Sequence, residues 1–262
     1  MSGSVRSIAE VRAALEQATG IELETLMTAL RDDQRAGVRS LLAGTRARLA
    51  RRQRESERLD RLMDAQQELL EQGLLVVAGI DEVGRGALAG PVTAGAVILH
   101  IDTRIDGLND SKLLSPVARE RVAASVRSTA LAWSVAHVGP KEIDSIGIGP
   151  ATRLAWARAL EGLGIAVDHV LIDGNDARGL TVPSTPIVRG DSSVGSIAAA
   201  SVIAKVARDS LMVAFADEYP GYGFDFNKGY GAAEHMERLL RVGPSAIHRL
   251  SFAPCSEQGR LL

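Results

Sequence analysis

The chain has 262 residues, 46% of them hydrophobic and 24% charged, and aromatics are scarce at 3%, so a core has to come from Ala, Val, Leu and Ile. A formal charge of −2 excludes a chain that is basic throughout, and any nucleic-acid binding needs positive charge gathered locally. The single cysteine, Cys255, excludes an internal disulfide and a cysteine-based zinc centre, and with no apolar signal core and no run of transmembrane length the expected location is cytoplasmic.

Residues 1–72 differ in texture from the rest, with no proline and many Leu, Ala, Arg and Glu. Val11, Leu15 and Ala18, then Leu23, Leu26, Met27 and Leu30, recur at helical spacing, and Ser7 with Glu10 forms a candidate capping box. A second, longer helix is expected from near Arg46 to Glu71. Nine arginines (35, 39, 46, 48, 51, 52, 54, 58 and 61) stand between Arg35 and Arg61 against Glu55, Glu57 and Asp60, an excess of six positive charges. Such a run is either a solvated helix face laced with ion pairs or an electrostatic arm for a phosphate backbone. Dimerisation through these helices competes with the arm, and a monomer is the expectation.

From Leu74 the pattern becomes α/β. Strands are expected at 74–81, 91–100, 131–139, 169–173 and 185–190, and helices at 115–128, 149–163, 192–216 and 232–241. Ser115-Pro116 starts the first of these helices and Gly243-Pro244 ends the last. Strands one and two are joined by a glycine-rich stretch too short for a crossover, so they pair antiparallel. Helices between the later strands favour parallel additions. This predicts an α/β domain at 73–262, a five-stranded mixed sheet flanked by helices with a C-terminal helical segment, and an all-helical extension at 1–72.

The joining stretch is Gly79-Ile80-Asp81-Glu82-Val83-Gly84-Arg85-Gly86-Ala87-Leu88-Ala89-Gly90-Pro91. Neighbouring residues of a strand point to opposite faces, so Asp81 and Glu82 can serve one site only if the chain stops being extended there. Val170-Leu171-Ile172-Asp173-Gly174 is a short apolar strand closing on an aspartate, and Asp191 follows the last strand near a helix start. With those strands adjacent, Asp81, Glu82, Asp173 and Asp191 converge at one sheet edge. Four carboxylates in one pocket repel, an arrangement that divalent cations resolve. Magnesium takes oxygen ligands and keeps waters, and manganese is its substitute.

The glycine-rich stretch resembles the signature of type 2 ribonuclease H (ribonuclease HII), and the resemblance extends in order over about residues 74–254. It includes Asn109-Asp110-Ser111-Lys112, the helix Ser196-Ile197-Ala198-Ala199-Ala200-Ser201-Val202-Ile203-Ala204-Lys205, Lys228-Gly229-Tyr230-Gly231, and the segment with Ile247-His248-Arg249. Some bacterial members carry an N-terminal helical extension. The resemblance implies a ribonuclease H-like fold and an endonuclease acting on the RNA strand of RNA–DNA hybrids. It also implies cutting 5′ of single ribonucleotides in duplex DNA, to 3′-hydroxyl and 5′-phosphate ends, by two ions of Mg2+ or Mn2+. Primer removal and ribonucleotide excision repair follow from it.

Residue by residue, the resemblance makes Asp81, Glu82, Asp173 and Asp191 the catalytic metal ligands. It assigns Gly84, Arg85 and Gly86 to sensing the 2′-hydroxyl, with Arg85 also near the phosphate, and Tyr230 to stacking on the sugar. Ser111 and Lys112 are candidate phosphate contacts. The alanine-rich helix is read as packing that steadies Asp191; Lys205 either neutralises the acidic pocket or is simply exposed. His248 is read as a structural hydrogen-bonding group rather than a general base. Arg189 stands where lysine is expected. The terminal Gln258-Gly259-Arg260-Leu261-Leu262 loosely resembles peptides that dock sliding clamps. Rival readings are a non-catalytic hybrid-binding protein, a junction resolvase and a type 3 enzyme; the four acids, Gly84-Arg85-Gly86 and the all-helical N-terminus respectively argue against them.

Overall fold

A computed structural model describes residues 6–258, and it divides into two compact units, the first ending at Arg58 and the second starting at Leu59. The first unit holds α1 (Ile8–Gln17), α2 (Gly20–Ala29) and most of α3 (Ala36–Arg61). The Ser7 hydroxyl accepts from the Glu10 amide at 3.2 Å and the Glu10 carboxylate accepts from the Ser7 amide at 2.6 Å, so the capping box forms. Val11, Leu15, Ala18 and Leu23 close on Val38 and Leu42 of α3. Arg39, Arg46, Arg51, Arg52, Arg54 and Arg61 are exposed.

The expected helix from Arg46 to Glu71 is in fact two. α3 begins earlier, because Val38 and Leu42 complete the apolar stripe, and it stops after Arg61; α4 (Asp64–Glu71) follows. At the break Leu62 and Met63 are buried, and the Leu62 carbonyl accepts from the Gly195 amide at 2.7 Å. Gln66, 4% exposed, donates to the Leu99 carbonyl at 2.8 Å. Residues 59–66 thus pack inside the second unit, ahead of the boundary expected at residue 72.

The second unit is built on β1 (Val77–Val83), β2 (Val92–Ile98), β3 (Ala132–Val138), β4 (His169–Asp173) and β5 (Ser184–Ile187), in spatial order β3-β2-β1-β4-β5. β1 pairs antiparallel with β2 and parallel with β4, and β4 pairs parallel with β5. β3, expected to add in parallel, is antiparallel to β2. The reason lies in the connection. The chain runs out along residues 99–115 and α5 (Pro116–Thr129) brings it back, so β3 restarts where β2 ended, with the Leu131 amide on the Ile98 carbonyl at 2.9 Å. β5 is a four-residue edge strand carrying Pro186, a position where the missing donor costs no ladder bond. It ends early because Arg189 turns left-handed at φ 58°.

α6 (Pro140–Ile146) and α7 (Ile148–Glu161) cover one face of the sheet; α8 (Gly190–Ser193), α9 (Gly195–Glu218) and α5 lie on the other, and α10 (Phe224–Asn227), α11 (Ala233–Val242) and α12 (Ala253–Gln258) complete the chain. α9 presents small residues to β1 and β2, and those strands answer with glycine. A Cβ on Gly79 would lie 2.2 Å from the Ser196 backbone carbon, and one on Gly95 would lie 2.4 Å from the Ala200 carbonyl oxygen. Helix and sheet therefore meet backbone to backbone. Among the described residues no helix is long and apolar enough to cross a membrane.

Candidate active site

β1 stays extended through Val83, so the bend expected between Asp81 and Glu82 does not occur. Their side chains leave on opposite faces, as strand alternation requires. Asp81 turns to the α9 face, where Ser201 hydrogen-bonds it. Glu82 turns to the α7 face, where its Oε2 accepts from the Trp156 indole at 2.9 Å and its Oε1 from Arg85 at 3.1 Å. What joins the two acids is Asp173, at the carboxyl end of the neighbouring parallel strand, whose charge acts on both. Asp191, in the first turn of α8, donates its amide to Asp173 Oδ1 at 3.4 Å. The other three carboxylates thus gather around Asp173 at the sheet edge where α/β proteins build sites.

Burial first, and crowding after it, shows in the acidity of Asp81, Glu82 and Asp191. Burial, joined by the charges of Glu82 and Asp173 and opposed by the Ser201 hydrogen bond, pushes Asp81 up to about 8. Burial raises Glu82 as well, against hydrogen bonds from Trp156 and Arg85. Asp191 is raised by burial first and by Asp173 second, with Lys112 opposing at 3.2 Å. Acids held above their usual range gain from a nearby cation.

The donor set is all carboxylate oxygen, which suits a hard divalent cation. Among the described residues, no three His, Cys, Asp or Glu side chains stand close enough to enclose one ion. An open set of this kind fits magnesium, which is held by one or two carboxylates and completes its shell with water and substrate phosphate oxygens.

Two clefts flank this ridge of acids. On the Asp81 face a cleft of about 320 Å3 is lined by Ser111, Lys112, Ser201, Lys205 and Tyr230. Ser111, 3% exposed, bonds Ser201 through its hydroxyl at 2.9 Å, so it braces the group that contacts Asp81. Lys112 reaches Asp191, and Lys205 pairs with Asp209 at 2.9 Å. Tyr230 is half-buried, with the Arg208 guanidinium 5.3 Å from its ring centre. On the Glu82 face a larger cleft of about 620 Å3 runs past Arg85, Arg153, Trp156 and the loop after Asp173.

Gly84 closes β1 at φ 89°, a conformation that favours glycine, and Arg85 and Gly86 are exposed beyond it. This loop is held from beneath by two arginines with 0% exposure. Arg249 donates to the carbonyls of Gly84 at 2.6 Å, Arg85 at 2.8 Å and Gly90 at 3.0 Å. Arg208 donates to those of Pro91, Ala89 and Lys228 at 2.8–3.1 Å. Burial, and then the charge of Arg208, pushes the Arg249 guanidinium down to about 9. With its carbonyls engaged below, the turn has its exposed amides free to face a ligand.

His248, 2% exposed, lies in a ring cluster with His235, Tyr222 and Phe224, away from the carboxylates. The Ser245 amide donates to His248 Nδ1, the two histidines are hydrogen-bonded through their Nε2 atoms at 2.9 Å, and His235 Nδ1 faces the Tyr230 carbonyl at 2.8 Å. This chain of bonds anchors the backbone of Tyr230, a structural use for His248. Sequence reading missed Trp156, Ser201 as an Asp81 partner, Arg153, and Arg208 and Arg249 as supports of the turn. The proposed clamp-docking tail falls mostly on 259–262, outside the described residues.

The model of the family described as Ribonuclease HII matches residues 78–255, and that of the Ribonuclease HII N-terminal domain matches residues 7–70. The Ribonuclease HII of Moorella thermoacetica is 52% identical over 198 residues, covering 76% of this chain and 96% of that protein. That of Desulfitobacterium hafniense is 43% identical over 235 residues, covering 90% of each. In fold the chain resembles the ribonuclease H2 of Pyrococcus horikoshii, with a TM-score of 0.61 and 24% identity, over 71% of this chain and 98% of that one.

Proposed function

The chain belongs to the ribonuclease HII family, and from that premise we propose that it cleaves the RNA strand of RNA–DNA hybrids and cuts 5′ of single ribonucleotides in duplex DNA. Membership makes it a ribonuclease H, a hydrolase. The observation that carries the rest is the gathering of Asp81, Glu82 and Asp191 around Asp173, with three of the four held less acidic than usual.

In the proposed reaction a water oxygen bonds to phosphorus and the bond to the 3′ oxygen breaks. The water gives up a proton, the leaving oxygen takes one, and the ends are 3′-hydroxyl and 5′-phosphate. Two ions of Mg2+ or Mn2+, held by Asp81, Glu82, Asp173 and Asp191, would supply the positive charge that eases both the ionisation of water and the departure of the 3′ oxygen. Arg249 and Arg208 keep the Gly84-Arg85-Gly86 backbone in position to meet a 2′-hydroxyl, the group that separates RNA from DNA. Tyr230 offers a face for the adjacent sugar, and Lys112 is set to exchange Asp191 for a phosphate. Ser111 acts from below through Ser201. Primer removal and ribonucleotide excision repair in the cytoplasm, by a monomer with the arginine-rich helices as a nucleic-acid arm, complete the reading; a sliding clamp remains a candidate partner of the C-terminal tail.

Scission of a labelled duplex containing one ribonucleotide tests this, with magnesium, with EDTA, and with Asp81→Asn. Cutting 5′ of the ribonucleotide that EDTA and the variant abolish is the expected result. Equal cutting of an all-DNA duplex would remove the role given to Gly84-Arg85-Gly86, and tight binding with no cutting would favour a hybrid-binding protein.

A further inference from the structure

The cleft on the Glu82 face sets three arginines against three acids, and the pairing of each decides what is left for a ligand. Arg85, Arg153 and Arg178 line it, together with Thr152, Trp156 and the loop from Gly174 to Arg178. Its acids are Glu82, Asp173 and Asp176. Asp176 is already satisfied: Arg178 grips it at 2.8 and 3.0 Å and holds it down at about 2. Arg85 is spoken for by Glu82.

Arg153 is different. It is half-buried, sits on the second turn of α7, and makes no ion pair among the described residues; its charge is felt by Asp176, whose own ion pair is with Arg178. Its stem crosses Gly179, where a Cβ would lie 2.5 Å from the arginine Cδ, and its Nη1 lies 3.8 Å from the place a Gly149 Cβ would take. The loop thus keeps glycine, at φ 92°, where the arginine has to pass. A cation seated in this way, outside any ion pair and beside the carboxylate site, is arranged for an anion that arrives with the substrate.

We propose that this cleft holds the phosphodiester backbone of the substrate on the Glu82 side of the cut, and that Arg153 is the residue that grips one of its phosphates. The inference rests on the nuclease reading above and extends it, since none of the residues assigned there to the nucleic acid, Arg85 aside, lines this cleft. Arg153 contacts substrate without touching the reacting atoms, so its removal should weaken binding at every sequence and leave the cleavage position unchanged.

The test uses full-length protein carrying Asp81→Asn, which binds without cutting, and a fluorescent duplex with one ribonucleotide, read by anisotropy across a salt series. Arg153→Ala is compared with Arg158→Ala, an exposed arginine on the same helix that pairs with Glu142 at 2.8 Å. Arg153→Ala is expected to weaken binding about tenfold and to lower the salt slope by about one. Duplexes with single neutral methylphosphonates then locate the contact: one position should cost the Arg153 protein binding and cost the Arg153→Ala protein nothing more. Arg153→Lys should restore part of the salt slope, and unchanged melting temperatures show that the variants fold. An unchanged slope, a loss matched by Arg158→Ala, or no coupled methylphosphonate position overturns the proposal while leaving the nuclease reading intact. Failure of the Asp81→Asn parent to bind the duplex removes both.

Discussion

The indole nitrogen of Trp156 lies 2.9 Å from Oε2 of Glu82, joining the middle of α7 to the end of β1 across 74 residues of sequence. Trp156 is only 5% exposed, so this donor is fixed by packing before any ligand arrives. It turns one oxygen of Glu82 toward α7 and leaves the other to Arg85.

We predict that Trp156→Phe, which keeps most of the packing and removes the donor, weakens apparent metal affinity by about 10–100-fold, the usual cost of losing a bond that orients a ligand. Titration of activity and of Mn2+ binding by the variant checks this. Equal metal affinity in variant and parent would mean that the indole only fills space.

Arg249 should matter for stability as much as for substrate. Its guanidinium, with 0% exposure, serves three carbonyls, those of Gly84 and Gly90 in fully buried bonds. Arg249→Met removes a donor from each of them, and the expected loss is about 3–5 kcal/mol. Arg249→Lys keeps the charge but cannot reproduce a fork aimed at three acceptors, so it should recover less than half. Urea unfolding of the three proteins decides; a loss below about 1 kcal/mol in Arg249→Met would mean that water replaces the guanidinium.

The histidine pair predicts a pH dependence. Burial, with the charge of His235 added, pushes His248 down to about 4, and burial also lowers His235. Below pH 6.5 the unfolded chain takes up protons that the folded pair refuses, so stability is present above that pH and falls as pH drops toward 4. His248 alone should cost about 1.4 kcal/mol per pH unit over that window. Asp81, raised to about 8, works in the opposite sense, so the readout is a difference. The urea midpoint of His248→Asn should lose less on acidification from pH 6.5 to 4.5 than that of the parent. Parallel pH profiles would contradict the neutral pair.

Gly79→Ala tests the contact between helix and sheet. The new methyl would stand 2.2 Å from the Ser196 backbone, which cannot move aside as a side chain could. We expect a loss of at least about 3 kcal/mol, at the upper end for an overpacked core. Gly86→Ala, which meets nothing within 4 Å, is the control and should unfold with the parent.

Much of this protein is readable along the chain because the signals are local. Ser7 and Glu10 are three residues apart, as a capping box needs. The apolar stretches behind β1, β2 and β4 show in the sequence, and Asp173 stands at its strand end with Gly174 directly after it. What the tertiary structure decided is everything that depends on a partner far along the sequence. The outward and returning path of residues 99–131 made β3 antiparallel. The core of the second unit broke the long helix at Leu62 and Met63. The extended end of β1 sent Asp81 and Glu82 to opposite faces and left Asp173 to join them. Arg153, Arg208 and Arg249 look like surface arginines in the sequence, since a guanidinium whose partners are backbone carbonyls, or a phosphate yet to arrive, has no matching acid nearby to reveal it. Spacing specifies the elements, but the partners of a buried charge are set only when the chain closes around it.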